Sequence, residues 1–389
     1  MNLIIKRGFT LIFIIVTLFF IGYICQLYRL TFINLSLASK LNIVKNPSLL
    51  YLLSPLFFWI ASRTFLFKNA NGPLMNKINI LFKNLNDPNM FKKIVPFSSL
   101  LAIVASSLVT VFSGGSLGSE TIIIYISILL LLYMFNYFKK YIMEINVENL
   151  LYLGYIFGFT IAFKSPLSSA ILVLEKSLRS NSKKIVSNFI FCCIGILIAY
   201  YLMDKSKDIF TSPPVSFTYS VSHFLQYSFL AIFCGVLASM LFKIMTEMFN
   251  TVQNLVEKST TLLNVIPVFF GFCLAALINN VNGGIEMTGE GITMINCEFS
   301  KACEYNLKIL LGFLVNVILT FISGCSGGHK WVYMSIGGGI GSVYDNITTL
   351  PSTQTIIIGM NSFFSAILGN PISSAFIISS LTKQNYDTL

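Results

Sequence analysis

Long uncharged apolar runs alternate with short polar connections along most of this chain. The runs 8–26, 94–119, 121–138, 185–203, 224–242, 260–285 and 309–328 each approach or exceed the roughly 20 apolar residues that a helix needs to cross a bilayer. The uncharged stretch 346–382 is too long for one span, and Gly369-Asn370-Pro371 divides it. Segments 150–163 and 165–174, joined at Lys164, are half-length pieces. Broken helices are tolerated in hydrocarbon only where protein or a water-filled cavity satisfies the freed backbone groups. The pattern predicts an all-α integral membrane protein with broken and half-spanning helices.

The polar breaks recur in order. Ser113-Gly-Gly-Ser-Leu-Gly-Ser-Glu120 returns 210 residues later as Ser323-Gly-Cys-Ser-Gly-Gly-His-Lys330. Ser165-Pro-Leu-Ser-Ser-Ala170 returns 205 residues later as Asn370-Pro-Ile-Ser-Ser-Ala375. A weaker pair, Asn71-Gly72 and Asn282-Gly283, keeps nearly the same spacing. Matching breaks in two halves predict an internally duplicated transporter, a construction that places ion sites at mid-membrane depth. The expected organisation is an amino-terminal membrane helix over 1–35, a first repeat over 36–210 and a second over 211–389.

Composition supports the membrane assignment. Hydrophobic residues are 55% of the chain, charged residues 11%, and mean hydropathy is +0.78, which excludes an ordinary soluble domain. Lys6 and Arg7 precede the first run, which is longer than a secretory h-region and lacks a small-x-small cleavage site just after Gly22. It is expected to be a retained helix with a cytoplasmic amino terminus. The net charge of +11 lies largely in connections and fits a positive-inside bias, with attraction of anions to a pore mouth as a second reading. The basic residues are not interleaved with aromatics in a soluble segment, so no nucleic-acid partner is expected. The cysteines at 25, 192, 193, 234, 273, 297, 303 and 325 mostly sit in apolar runs and are expected as free thiols. Only Cys297 and Cys303 stand where a disulfide could close. With His223 and His329 the only histidines, no multi-histidine metal site is expected, and no cofactor is implied.

Glu120 is the only acid between 94 and 138, and it starts the run 121–138. A helix start offers free N–H groups and the positive end of the dipole, a natural anion site. A carboxylate placed there competes with a small anion, and protonation releases it. A helix-capping glutamate at the water interface is the alternative. Gly327-Gly328-His329-Lys330 holds the matching place in the second half, where Lys330 either adds positive charge or snorkels to the interface. Asn71, ahead of Pro73, suits either an anion-donating helix cap or an ordinary capped loop. Glu286 and Glu290 lie close together in a loop-like segment, but no converging catalytic set accompanies them, so enzymatic activity is not expected.

These residues resemble the CLC chloride channel and transporter family. Ser116-Leu-Gly-Ser-Glu120 is similar to its Gly-Arg-Glu-Gly-Pro gate motif. The run Ala162-Phe-Lys-Ser-Pro-Leu-Ser-Ser-Ala-Ile-Leu-Val-Leu-Glu175 is similar to its Ala-Phe-Asn-Ala-Pro-Leu-Ala-Gly helix. Gly327-Gly328 matches the start of Gly-Gly-Ile-Phe-x-Pro, and Gly359-Met360 through Pro371 to Asn385-Tyr386 follows the last conserved stretch. The similarity runs from about residue 60 to the end. It implies inverted repeats, a homodimer with one anion pathway per subunit, and helix starts aimed at dehydrated chloride.

By position Glu120 corresponds to the gating glutamate, and Asn71 falls near the family's central serine. The expected anion-binding residues are Asn71, Gly118, Ser119, Gly327, Gly328, His329 and Lys330. Thr121-Ile122 replaces the Gly-Pro after the gate, and His329-Lys330 replaces Ile-Phe. Lys176 stands where antiporters keep an internal proton-accepting glutamate, leaving Glu175 and Lys176 as proton-pathway candidates. Relative to the family, the sequence stops at Leu389 before the last two helices and the central tyrosine. The expected function is transport of chloride or a similar small anion across a plasma (inner) membrane, channel-like or uncoupled. A chloride/proton antiporter and a non-transporting truncated paralogue are the alternatives.

Overall fold

The computed structural model describes residues 3–62, 78, 80, 96–142, 145–179, 185–203, 209–214, 220–281, 283–300, 307–325, 327–348 and 350–384. Asn71, Ser326 and Cys303 lie outside them. Fourteen α-helices make up the described architecture. Helix α1 (Leu3–Lys45) leads through a short 3-10 turn to α2 (Leu50–Ser62). The first set continues as α3 (Phe97–Phe112), α4 (Glu120–Phe138), α5 (Val147–Phe163), α6 (Pro166–Arg179) and α7 (Ile185–Leu202). Helix α8 (Val221–Lys258) then opens a second series. It comprises α9 (Thr260–Asn280), α10 (Ile292–Ser300), α11 (Leu307–Ile322), α12 (Lys330–Asp345), α13 (Ser352–Leu368) and α14 (Pro371–Thr382).

The duplication read from the motifs governs the helix boundaries. Both α3 and α11 have 16 residues, and both α5 and α13 have 17. Each α3-type helix ends at a Ser-Gly pair, where Gly114 and Gly324 take φ of 88° and 78° to turn the chain toward the next helix start. Helix α5 stops at Lys164, held left-handed at φ 52°, and α13 stops at Gly369, φ 71°. The proline two residues later in each case cannot continue a helix but suits the first turn of a new one, so α6 and α14 begin at Pro166 and Pro371. The expected break at Lys164 is therefore present.

Helices α4, α5 and α12 form the centre. Tyr125, Tyr155, Phe157, Phe159, Phe163 and Trp331 are all buried there. Among the described residues, exposed apolar side chains are most numerous on α1 and α8, such as Phe20, Leu27, Leu225 and Phe229, with others on α2, α7, α9 and α11. That distribution suits a lipid boundary, where apolar side chains carry no exposure cost. Helices α1, α4, α8 and α9 are each long and apolar enough to cross a membrane.

Helix α1 extends beyond the expected boundary at residue 35 and carries Arg29, Lys40 and Lys45 in its second half. Arg29 donates to the carbonyls of Ile161 and Ala162 at 3.1 and 3.3 Å, capping the interior end of α5. Those carbonyls lose their helical partners at the break, so a cation there satisfies both hydrogen bonding and dipole. Six cysteines are free thiols, as expected, but Cys297 at the end of α10 is disulfide-bonded. Cys297 is one of the two positions, with Cys303, where the sequence left room for a disulfide.

Glu175 near the end of α6 joins the two series. Its carboxylate accepts the backbone N–H groups of Ile372 and Ser373, at 3.2 and 2.9 Å, and the Ser373 hydroxyl. Asn370, in the N-cap position of α14, makes no side-chain cap bond, so Glu175 takes over that task from another helix. Glu175→Ala is expected to destabilise the protein by about 1–3 kcal/mol by leaving these donors unpaired. A lower midpoint of thermal unfolding in detergent, monitored by intrinsic fluorescence, is the check.

Candidate functional site

Two helix starts from opposite halves meet inside the protein. Gly118 donates its N–H to the Gly328 carbonyl at 2.6 Å, and Gly328 returns the bond to the Gly118 carbonyl at 3.0 Å. This reciprocal antiparallel bridge fixes the segment before α4 against the segment before α12. Surrounding polar groups brace it. Asn316 on α11 donates to the carbonyls of Gly114 and Met287, at 3.1 and 2.6 Å, and the Thr320 hydroxyl accepts the Ser116 N–H at 3.0 Å. Buried irregular backbone is thus paired through side chains of a neighbouring helix.

Glu120 opens α4 beside the bridge and is fully buried. Its Oε1 accepts the Lys330 backbone N–H at 2.6 Å, the first amide of α12. The carboxylate therefore occupies the anion-binding end of a helix in the other half. Its second oxygen, Oε2, has no hydrogen-bond partner in the described structure. The interface-cap alternative does not hold, because this group lies in the interior. Gly118 and Gly328 make room for it: a Cβ on Gly328 would stand 2.6 Å from Oε1 and 2.7 Å from the Gly118 carbonyl oxygen. Gly327 packs equally closely on Leu117.

The side chains of His329 and Lys330 lie in aromatic surroundings. The His329 ring lies 5.0 Å from Phe321 and 6.2 Å from Tyr333. Lys330 does not snorkel. Its side chain is buried, with Nζ 5.2, 5.7 and 5.9 Å from the ring centres of Phe159, Phe163 and Tyr155. These aromatics are spaced four apart on α5, so they form one stripe and offer successive π-faces to the cation. Lys176 on α6 lies over Tyr155 as well, Nζ to centroid 3.8 Å. Glu175 and Lys176, adjacent in sequence, thus serve different neighbours.

The residue that the sequence reading left in a loop is Glu290. The Ser119 N–H and hydroxyl both donate to its Oε1 at 2.8 Å, placing this carboxylate at the residue immediately before Glu120. The available signal was Gly289-Glu290-Gly291, an acid between two glycines, both of which adopt positive φ (74° and 77°). Glu290 also lines a cavity of about 420 Å³ between the second half of α1 and the Lys164 break, with Arg29, Lys40, Lys164 and Asn296 on its walls. Three cations and one acid make this chamber attractive to anions.

The fold recurs in known proteins. The family model described as voltage gated chloride channel matches residues 53–389. The chain belongs to the voltage gated chloride channel family, and with its apolar helices it is an integral membrane protein. Among curated proteins, an uncharacterized protein of Methanocaldococcus jannaschii is 27% identical over 244 residues, which is 60% of this chain and 58% of that protein. The alignment thus spans less than two thirds of that relative. The fold is similar to a CLC-type fluoride/proton antiporter, with TM-score 0.74, 17% identity, and 95% of this chain and 93% of the other covered. It is also similar to a slow cyanobacterial Cl-/H+ antiporter, with TM-score 0.71, 16% identity, and coverage of 98% and 90%.

Gly328→Ala is expected to push the Glu120 carboxyl off the Lys330 amide, since the added methyl occupies its place and the adjoining contact is backbone. A structure of the variant that keeps the hydrogen bond between Glu120 and the Lys330 N–H would contradict this.

Proposed function

We propose that this protein moves chloride or a similar small monovalent anion across a membrane along a pathway gated by Glu120. The observation that carries the reading is the Glu120 carboxylate seated on the Lys330 N–H, where two helix starts from opposite halves converge. An anion needs the same donors, so carboxylate and permeant ion compete for one place. Acidification neutralises the carboxylate, weakens its hold and raises flux. The cation-lined chamber beside Glu290 concentrates anions at the approach. Family membership supports this class of activity, and the resemblance supports a homodimer with one pathway per subunit in a plasma membrane.

The reading is channel-like or uncoupled. Lys176 lies at the position that the resemblance assigns to an internal proton-accepting glutamate, and its ammonium rests on Tyr155. An ammonium does not relay protons as a carboxyl does. Glu175 is already committed to the start of α14. A coupled anion/proton exchanger is the second reading, favoured by the fold's likeness to two solved antiporters.

Glu120→Gln mimics the protonated gate and is expected to raise chloride flux from reconstituted vesicles roughly tenfold, the effect of about 1.4 kcal/mol of lost competition. Its response to acid pH should disappear. Unchanged flux and unchanged pH response remove Glu120 from the gate. A pH-sensitive dye in the same vesicles tests the coupling: uphill proton movement driven by a chloride gradient establishes the exchanger instead.

A further inference from the structure

Glu290 is a half-buried carboxylate to which the gate described above gives no task. Its Oε1 takes both donors of Ser119, N–H and Oγ–H, at the start of α4. Glu120 takes the N–H of Lys330, the first residue of α12. The two helix starts that meet at the Gly118–Gly328 bridge are therefore both occupied, each by a different acid. The occupants also differ in access. Glu290 lines the cation-walled chamber, whereas Glu120 is fully buried. An anion entering from the chamber meets Glu290 first.

The surroundings of Glu290 hold its backbone and leave its side chain as the movable part. The Ser335 hydroxyl donates to the Glu290 carbonyl at 3.1 Å, and the Ser116 hydroxyl to that of Gly289 at 2.8 Å. A Cβ on Gly291 would collide with Ser335 and Phe313, so this turn has no room to shift. From α1, Arg29 and Lys40 attract the carboxylate through space, and Glu120 repels it. Lys40 is itself steadied by a 2.6 Å hydrogen bond to Thr293. Both cations line the chamber that Glu290 also faces.

We infer that Glu290 is a second gate carboxylate, on the chamber side and in series with Glu120. It withholds the Ser119 donors from a small monovalent anion until it swings toward Arg29 and Lys40. The inference rests on the anion-transport reading and adds a separate barrier to it. A purely structural Glu290, a cap for the loop before α4, is the competing account.

Glu290→Gln separates the two, because glutamine keeps an acceptor for Ser119 and loses only the charge. The experiment reconstitutes wild type, Glu120→Gln, Glu290→Gln and the double variant in vesicles and measures chloride efflux. Chloride binding in detergent is measured by calorimetry, and thermal unfolding confirms that each variant is folded. With two plugs in series, Glu290→Gln is expected to tighten chloride binding roughly tenfold. The double variant is expected to pass chloride faster than either single one. If Glu120→Gln raises flux while Glu290→Gln leaves binding unchanged and adds nothing in the double variant, Glu290 is structural and this inference fails alone. If no variant moves or binds chloride although all are folded, the transport reading fails and takes this inference with it. Should glutamine disturb the loop, Arg29→Gln and Lys40→Gln supply an independent readout. Removing these cations is expected to hold Glu290 on Ser119 and lower chloride efflux severalfold, and unchanged efflux in both overturns the inference.

Discussion

The paired hydrogen bonds between Gly118 and Gly328 are the constraint on which the rest of the site depends. They are two main-chain bonds between segments 210 residues apart in sequence, and they fix where α4 and α12 begin. Helix dipoles act over about one turn, so convergence of two helix starts matters only if backbone approaches backbone closely. Glycine at both bridge positions permits that approach. The space a side chain would have filled holds the Glu120 carboxyl instead. Bridge, helix starts and buried acid are thus one arrangement.

Around this centre the molecule spends polar groups sparingly and each on a specific backbone defect. Asn316 and Thr320 satisfy the turn before α4, Arg29 the interior end of α5, and Glu175 the start of α14. These side chains come from helices other than the ones they complete. In hydrocarbon a broken helix cannot borrow water, so every break needs a partner delivered by tertiary packing. The breaks in turn supply what an unbroken span lacks: free N–H groups at depth. Structural cost and anion chemistry come from the same feature.

Much of this was legible in the sequence, for a physical reason. Clusters of Gly, Pro and Ser in an apolar background mark places where the backbone leaves the helix, and Gly114, Lys164 and Gly369 all fall at such clusters, whereas the lone prolines Pro55 and Pro267 stay inside helices. Glu120 was conspicuous as an isolated acid. The length of α1 was obscured because Arg29 and Lys40 look like connection residues, and only the folded chain shows what they bind. Glu290 was hidden for a similar reason: its role depends on a loop meeting Ser119 across 171 residues, and local periodicity carries no trace of that. The burial of Lys330 depended on the 155–159–163 stripe, visible on α5 but with nothing to say which cation it faces. Asn71 lies outside the described residues.

The duplication that built the two helix starts did not leave them equivalent. One copy ends in an acid that reaches across to its twin, while the other ends in a lysine whose charge retreats among rings. A symmetric scaffold therefore carries an electrically lopsided lining. The meeting point of the two helix starts thus has two electrically distinct faces, one holding a carboxyl group and the other backed by a lysine among aromatic rings.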